Sequence, residues 1–149
     1  MATVALSLTG RALRLLSARE HSRAELERKL APFEDAPGAL AKVLDTLQAK
    51  GFINEARVLE SVVHRRASKL GASRIKQELQ AKGLEPRAVA DAVSQLRATE
   101  LDRAREIWHK KFGSPPTDAA ERGKQMRFLA SRGFGGDTIH RVVQGADDE

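Results

Sequence analysis

The sequence contains no cysteine and no tyrosine, and only 4% of its 149 residues are aromatic. Without cysteine the chain can form neither a disulfide nor a zinc site built on thiolates, which fits a reducing compartment. Proteins that hold single-stranded nucleic acid by stacking use several aromatic side chains on one face. The scarcity of aromatic residues therefore argues against base stacking as a main mode of binding.

The N-terminal stretch, MATVALSL, lacks a charged segment and has only a very short apolar run. We therefore expect neither a signal peptide nor a membrane span there. The prediction is a cytoplasmic protein that makes no contact with a membrane.

Motifs typical of catalytic, metal and cofactor sites are missing as well. The four histidines are His21, His64, His109 and His140. No two of them are spaced three or four residues apart, and no cluster of acids accompanies them, so we predict no metal site. Gly135-Gly136 follows no predicted strand and precedes no Gly-Lys-Ser/Thr, so it is not a phosphate-binding loop. We expect no catalytic residues, no cofactor and no enzyme.

Basic residues are plentiful, and they are unevenly distributed. The chain has 26 Lys+Arg against 20 Asp+Glu, a net charge of +6 and a pI near 10.1. A basic balance favours polyanions or acidic protein surfaces as partners. The segment His64–Arg87 holds seven basic residues and two acids, whereas Glu34–Glu60 holds three bases and five acids.

Two groups of cations are candidate binding residues. The middle group is Arg65, Arg66, Lys69, Arg74, Lys76, Lys82 and Arg87, and the second group is Lys110, Lys111, Arg122, Lys124 and Arg127. For any one of these residues a solvated helix face is the simpler interpretation. Taken together, the middle group predicts contact with polyphosphate or with an acidic partner.

Apolar residues recur with a helical period, and no stretch alternates cleanly enough to predict a strand. Nine helices are expected, at residues 9–19, 22–32, 37–50, 54–69, 73–82, 86–97, 99–112, 118–132 and 136–144. Ser22 and Glu25 form a capping box, and Pro37 is placed in a first turn. Predicted N-caps are Asn54, Ser73 and Asp118, and predicted helix ends lie at Lys50-Gly51, Lys82-Gly83 and Arg132-Gly133.

Weak internal similarity indicates a duplicated unit. Leu-Gln-Ala-Lys-Gly occurs at Leu47–Gly51 and Leu79–Gly83, and Leu-Ala-Ser-Arg-Gly runs over Leu129–Gly133. Offsets of 50 and 53 residues also align apolar positions. We predict an all-α fold of three tandem three-helix repeats, at residues 1–53, 54–98 and 99–149, forming an elongated, curved array of either hand. Trp108 is expected in the core and Phe52 in the joint between the first two repeats.

Three segments resemble the RecX family of recombinase regulators. They are ALRLLSAREHSRAELERKL at Ala12–Leu30, KGFINEAR at Lys50–Arg57 and GASRIKQELQAKG at Gly71–Gly83. The last repeat resembles the family more loosely. In that family two acids, an arginine and an aromatic residue usually follow the second segment's KGFI. Here Asn54-Glu55 and Val58 occupy those positions, which puts the packing of that joint in doubt.

The resemblance implies three tandem three-helix repeats and a non-enzymatic regulator of DNA repair, homologous recombination and the SOS response. Its partner would be RecA protein, as the filament on single-stranded DNA, and DNA would be a further direct contact. Members restrain ATP hydrolysis, filament extension and strand exchange. The family has no catalytic motif to carry over, so the candidate site residues depend on charge alone.

We expect a monomer. Two alternatives stay open: a general DNA-binding helical module without a recombinase partner, and an interaction scaffold unrelated to DNA.

Overall fold

The computed structural model describes residues 6–144, and all regular structure in that part is helical. The helices are α1 (Leu8–Ala18), α2 (Arg23–Leu30), α3 (Ala39–Ala49), α4 (Glu55–Arg66), α5 (Ala72–Ala81), α6 (Pro86–Ala98), α7 (Glu100–Lys111), α8 (Ala119–Ser131) and α9 (Gly136–Gln144), with a 3₁₀ turn at Ala31–Phe33. The all-α prediction is confirmed for this part of the chain. Residues 1–5 of the first predicted repeat and residues 145–149 of the third lie outside the described part of the chain. The bounds of the three repeats stay a prediction.

Two compact units make up the described residues. One comprises residues 6–61 with Lys82–Leu84, and the other comprises Val62–Ala81 with residues 85–144. The first unit packs α1, α2 and α3 around Ala12, Leu26, Leu30, Leu40, Leu44, Leu47 and Ile53. In the second unit α7, α8 and α9 enclose Ala104, Trp108, Leu129, Phe134, Ile139, Val142 and Val143. Trp108 is therefore a core residue, as predicted.

Several predicted helix caps are present in the structure. The Ser22 hydroxyl accepts from Glu25 N–H, while the Glu25 carboxylate accepts from Ser22 N–H, which completes the capping box. Asn54 accepts from Arg57 N–H at 3.0 Å, and Asp118 accepts from Glu121 N–H at 2.8 Å. These short-range signals explain why the helix starts were predictable from the sequence.

Two of the predicted helix starts are wrong. Ser73 is not an N-cap, because α5 begins at Ala72 and its first N–H is bound at 2.8 Å by the Glu100 carboxylate from α7. Pro37 is not in a first turn, because α3 begins two residues later, after Gly38. The Leu40 N–H of α3 is bound at 2.8 Å by the Glu34 side chain. In both cases a more distant carboxylate replaces the expected local cap.

Phe52 does not fill a joint, contrary to the sequence prediction. Its side chain is 48% exposed, and the neighbouring Ile53 is 2% exposed and belongs to the first core. The chain turns through Gly51, whose φ of +83° needs a residue without a Cβ. This turn directs Ile53 rather than Phe52 to the interior.

Candidate binding surface

The middle basic group begins at the end of α4, where two arginines share one carboxylate of α5. Arg66 Nε lies 3.0 Å from Glu78 Oε1, and Arg65 Nη2 lies 4.0 Å from Glu78 Oε2. Both arginines are in the last turn of α4, where positive charge interacts favourably with the helix dipole. One carboxylate neutralises one of the two charges at most, so this end of α4 keeps positive charge.

Lys69 and Lys76, like Arg87 of the same group, face solvent without a counter-charge from any of residues 6–144. Both are exposed, and neither makes an ion pair with any of residues 6–144. Helix α5 buries Ala72, Ile75 and Leu79, which leaves Lys76 outside. Because no carboxylate among residues 6–144 has to be displaced, these cations are readily available to an anionic partner.

Arg74 is directed towards the end of α8. Its Nη1 donates a 2.7 Å hydrogen bond to Ser131 O, and Gly71 N–H donates to Arg132 O, also at 2.7 Å. These two bonds attach the start of α5 to the last turn of α8. Arg74 thus has a structural contact, while its charge stays near the surface.

A second set of cations meets at the same end of α8. The Arg132 guanidinium carbon lies 4.9 Å from the centre of the Phe128 ring, and Lys111 Nζ lies 5.5 Å from it. Both distances are within the range of a cation–π interaction. Phe112 contacts Phe128 edge to face at 5.4 Å. The fold therefore gathers Lys111, Arg132 and Arg74 around one helix end.

Arg132 was not among the predicted site residues. The sequence identified it only as a cation at a helix end, a signal that does not reveal its neighbours. Its carbonyl accepts from Gly71 N–H because the start of α5 lies against the C-terminal end of α8. The other predicted cations of the second unit make no ion pair within the described part of the chain: Arg122 is half-buried, and the exposed ones are Arg87, Lys110, Lys124 and Arg127.

Lys82 differs from the rest because it is largely buried in the first unit. Its side chain is 12% exposed, and its Nζ lies 3.2 Å from Glu25 Oε2, while Arg19 Nη2 lies 2.8 Å from the same oxygen. The Lys82 carbonyl accepts a 2.6 Å hydrogen bond from the Ser22 hydroxyl. Lys82 is therefore paired with a buried carboxylate of its own unit, and its charge stabilises the protein interior.

The pKa values in this cluster reflect its burial and its hydrogen bonds. Burial alone would raise the pKa of the Glu25 carboxyl, but hydrogen bonds from Arg19, the Ser22 N–H and Lys82 lower it to about 2. Burial lowers the pKa of His21, whose Nδ1 lies 3.0 Å from Arg19 O. His21 therefore favours its neutral form, in which Nδ1–H donates to that carbonyl.

Within residues 6–144, no three or more histidine, aspartate or glutamate side chains are placed to hold a metal ion. The Ser22 hydroxyl donates to Lys82 O, so it is engaged away from His21. No helix in this part of the chain is long and apolar enough to cross a membrane. The described surface offers positive charge and hydrogen-bond donors, which suit recognition of an anionic partner.

Two family models match the chain. The model described as the second three-helix domain of RecX matches residues 54–93, and the third three-helix domain matches residues 98–143. Curated relatives match almost the whole chain. The regulatory protein RecX of Leptothrix cholodnii is 56% identical, over 97% of this chain and 92% of its own length. That of Ralstonia nicotianae is 48% identical, over 95% and 89%.

Solved structures support the same fold. The crystal structure of RecX from Lactobacillus salivarius superposes with a TM-score of 0.75 at 21% identity, covering 95% of this chain and 96% of that one. A crystal structure of a regulatory protein RecX gives a TM-score of 0.72 at 19% identity, covering 95% and 72%. At these identities the likeness concerns the arrangement of the helices.

Proposed function

Because the chain belongs to the RecX family of regulatory proteins, we propose that it regulates a RecA recombinase by binding the RecA filament on single-stranded DNA. Bound there, it inhibits ATP hydrolysis, filament extension and strand exchange, and it acts in the cytoplasm as a monomer without catalysis of its own. The observation that carries the proposal is the family relationship together with exposed, unpaired cations on α5 and its neighbours.

The cations suggest how such a regulator could bind without a deep pocket. A filament on DNA presents phosphates and repeated acidic and basic protein surfaces, so a chain with several separate cationic contacts gains affinity from each of them. Positive charge also steers the encounter with a polyanionic target. Lys69 and Lys76 are the proposed primary contacts of the middle group. Arg65, Arg74 and the cations at the end of α8 extend the contact.

Charge reversal at the two unpaired lysines tests this surface. We expect Lys69→Glu with Lys76→Glu to weaken binding to a RecA filament by at least about tenfold, since two attractive contacts become repulsive. The matched control is Arg14→Glu with Arg97→Glu, which changes the net charge equally at exposed arginines outside both groups. Co-sedimentation with filaments, together with circular dichroism of each variant, measures the effect. Equal weakening in both double variants would remove this surface from the mechanism.

A general DNA-binding module is the alternative function. The observation that favours it is the outward face of α5, where Ser73, Lys76, Gln77 and Gln80 are all exposed at helical spacing. Ser73 and Gln77 can hydrogen-bond to phosphates or base edges. This function predicts affinity for duplex DNA without recombinase, with a salt slope of about −0.9 for each phosphate neutralised. Titration of labelled duplex at several salt concentrations distinguishes it from filament binding.

A further inference from the structure

Among residues 6–144, the large apolar side chains that are exposed all belong to the first unit. The large ones are Leu6, Leu13, Phe33 and Phe52, with exposures of 42%, 37%, 48% and 48%. Single exposed apolar residues are ordinary on protein surfaces. Leu13 and Phe52 are different, because they line the same open groove.

The groove lies between α1 and α3, beside the turn that follows α3. It consists of two cavities, of about 250 Å³ and about 400 Å³, and both are lined by Leu13 and Phe52. The remaining apolar lining residues are Leu16, Val43 and Leu47. Seven polar or charged residues complete the lining, namely Thr9, Ser17, Glu20, Lys42, Thr46, Lys50 and Arg57. Apolar walls combined with polar groups are typical of sites that receive apolar side chains and fix their orientation.

The exposure of Phe52 is not a general property of its position. Phe52 and Phe134 each follow a glycine in the same helix-ending motif, where their N–H groups donate to Leu47 O at 2.9 Å and to Leu129 O at 3.3 Å. Phe134 is 5% exposed and packs in the core of the second unit, whereas Phe52 is 48% exposed. In the first unit Ile53 takes the buried position. Phe52 is thus left free to contact another molecule.

The edge of the groove carries positive charge that no residue of the described part of the chain neutralises. Lys42 and Lys50 line the first cavity, and neither makes an ion pair with any described residue. Glu20 lines the second cavity, but Arg57 Nε lies 2.9 Å from it and neutralises it. An occupant with apolar side chains and carboxylates would match both the walls and the edge.

We propose that this groove binds an acidic segment of a partner protein, with one or two apolar side chains seated between Leu13 and Phe52 and carboxylates close to Lys42 and Lys50. An acidic protein segment fits better than single-stranded nucleic acid, because nucleic acid is held by several aromatic platforms and this groove has one. The proposal is independent of the proposed function, since none of its residues belongs to either basic group.

A labelled peptide tests the groove directly. The probe is a fluorescein-labelled twelve-residue peptide with one Leu and one Phe four positions apart and Glu or Ala elsewhere, and its binding to the full chain is followed by fluorescence anisotropy. We expect saturable binding that is lost when the Leu and Phe are replaced by Ser, and that is weakened when the Glu residues become Gln.

Variants of the protein locate the binding. Phe52→Ser is expected to weaken the peptide by about tenfold, as expected for an apolar anchor at the centre of a contact. Phe33→Ser is the matched control, because Phe33 is equally exposed but does not line the groove, and it should leave binding unchanged. Lys42→Glu with Lys50→Glu should weaken binding several-fold, and the effect should shrink as salt rises. Circular dichroism verifies that each variant is folded.

Four results would overturn the proposal. The first is the absence of saturable binding, or equal binding by Phe52→Ser and Phe33→Ser. A second would be a labelled oligo-dT that binds more tightly than the peptide and loses more affinity in Phe52→Ser. A third is a dimer in sedimentation that Phe52→Ser dissociates, which would assign the groove to a second copy. The last is tighter peptide binding after deletion of residues 145–149, which would assign the groove to the chain's own acidic end.

Discussion

Glu25 is the centre of a buried network of ion pairs and hydrogen bonds in the first unit. Its side chain is 7% exposed, yet it accepts hydrogen bonds from Arg19, from the Ser22 N–H and from Lys82. Removing one partner from such a buried network leaves a charge without compensation, which is strongly destabilising. Lys82, selected from the sequence as a binding residue, instead completes this network.

The stability of the protein is predicted to fall in acid because of Glu25. A carboxyl whose pKa drops from 4.5 to about 2 on folding contributes on the order of 3 kcal/mol to the free energy of unfolding above pH 4.5. That contribution is lost as the pH falls through about 2, since the unfolded chain binds the proton first. Urea unfolding of wild type and Glu25→Gln between pH 3 and pH 6 measures it.

The difference in unfolding free energy between wild type and Glu25→Gln should shrink steadily below pH 4.5. A difference that is constant over this range would contradict the role of the carboxylate. His21 affects stability at higher pH. Burial lowers its pKa, so its contribution to the free energy of unfolding is lost as the pH falls below the unfolded pKa of 6.5. The charged groups that face His21 are Arg19, Lys29 and Glu25. The variant His21→Gln separates the pH dependence due to His21 from that due to Glu25.

Arg103 has a structural role that the sequence did not reveal. Its Nη1 donates to Ala67 O at 2.8 Å and to Leu70 O at 2.7 Å, and its Nη2 donates to Leu96 O at 2.9 Å. Burial lowers the pKa of this guanidinium, and the charge of Glu100 opposes the effect. One side chain thus satisfies carbonyls beyond the end of α4 and near the end of α6.

Arg103→Met is therefore expected to cost about 2–4 kcal/mol of unfolding free energy, because partly buried carbonyls lose their donors. Arg103→Lys should recover only part of this, since an ammonium cannot reproduce the fork geometry. Arg105→Met, at an exposed position on the same helix, is the control and should change stability by less than about 0.5 kcal/mol. Thermal and urea unfolding report the values, and similar losses for the two Met variants would refute the assignment.

Among the elements, the start of α5 and the end of α8 approach each other so closely that two glycines are needed at the contact. A Cβ at Gly71 would overlap the carbonyl of Gly133, and a Cβ at Gly133 would overlap the side chain of Arg74. Gly133 also has a φ of +90°, which side chains rarely adopt. Both glycines are thus required for the hydrogen bonds that join α5 to α8.

Gly71→Ala is predicted to destabilise the second unit by at least about 2 kcal/mol, since a backbone atom has to move to admit the methyl group. Gly135→Ala is the matched control, because a Cβ there meets nothing within 4 Å and its φ is not positive. The melting temperatures of the two variants provide the comparison. Equal melting temperatures for Gly71→Ala and Gly135→Ala would contradict the close packing of Gly71 against Gly133.

Most of the helices could be predicted because their signals are local. The capping box at Ser22 and the N-caps at Asn54 and Asp118 each depend on residues within one turn of helix. The starts at Ala72 and Ala39 were misplaced, because a carboxylate 28 residues away caps α5 and because the chain turns through Gly38 before α3. The contact of Glu100 with Ala72 is long-range and is not visible in the local sequence, whereas the turn at Gly38 is a local feature that the prediction at Pro37 missed.

The candidate site was predictable only in part, for the same reason. Charge density along the chain identified the cations, but it could not distinguish Lys76, which is unpaired, from Lys82, which meets a carboxylate 57 residues earlier. Nor could it place Arg74 and Arg132 at the same end of α8. The sequence predicts Phe52 in a joint, yet the same Gly-Phe pair occurs at Phe134, where the side chain is buried, so the local pattern does not reveal which phenylalanine is exposed.

At the scale of the whole molecule, the proposed function requires the protein to bind a RecA filament in preference to bare DNA. A net charge of +6 gives affinity for any polyanion, so DNA binding alone is weak support for a recombinase regulator. What distinguishes the two functions is the concentration at which the protein acts. Contacts with repeated filament subunits should make the filament a better target than bare DNA of the same length.

The measurement that tests this claim most directly is single-strand-dependent ATP hydrolysis by RecA, titrated with this protein, with its affinity for the same DNA measured in the same buffer. We predict half-inhibition at a concentration well below that needed to coat the free DNA. Inhibition that begins only when the free DNA is saturated would show competition for DNA and would contradict the proposal.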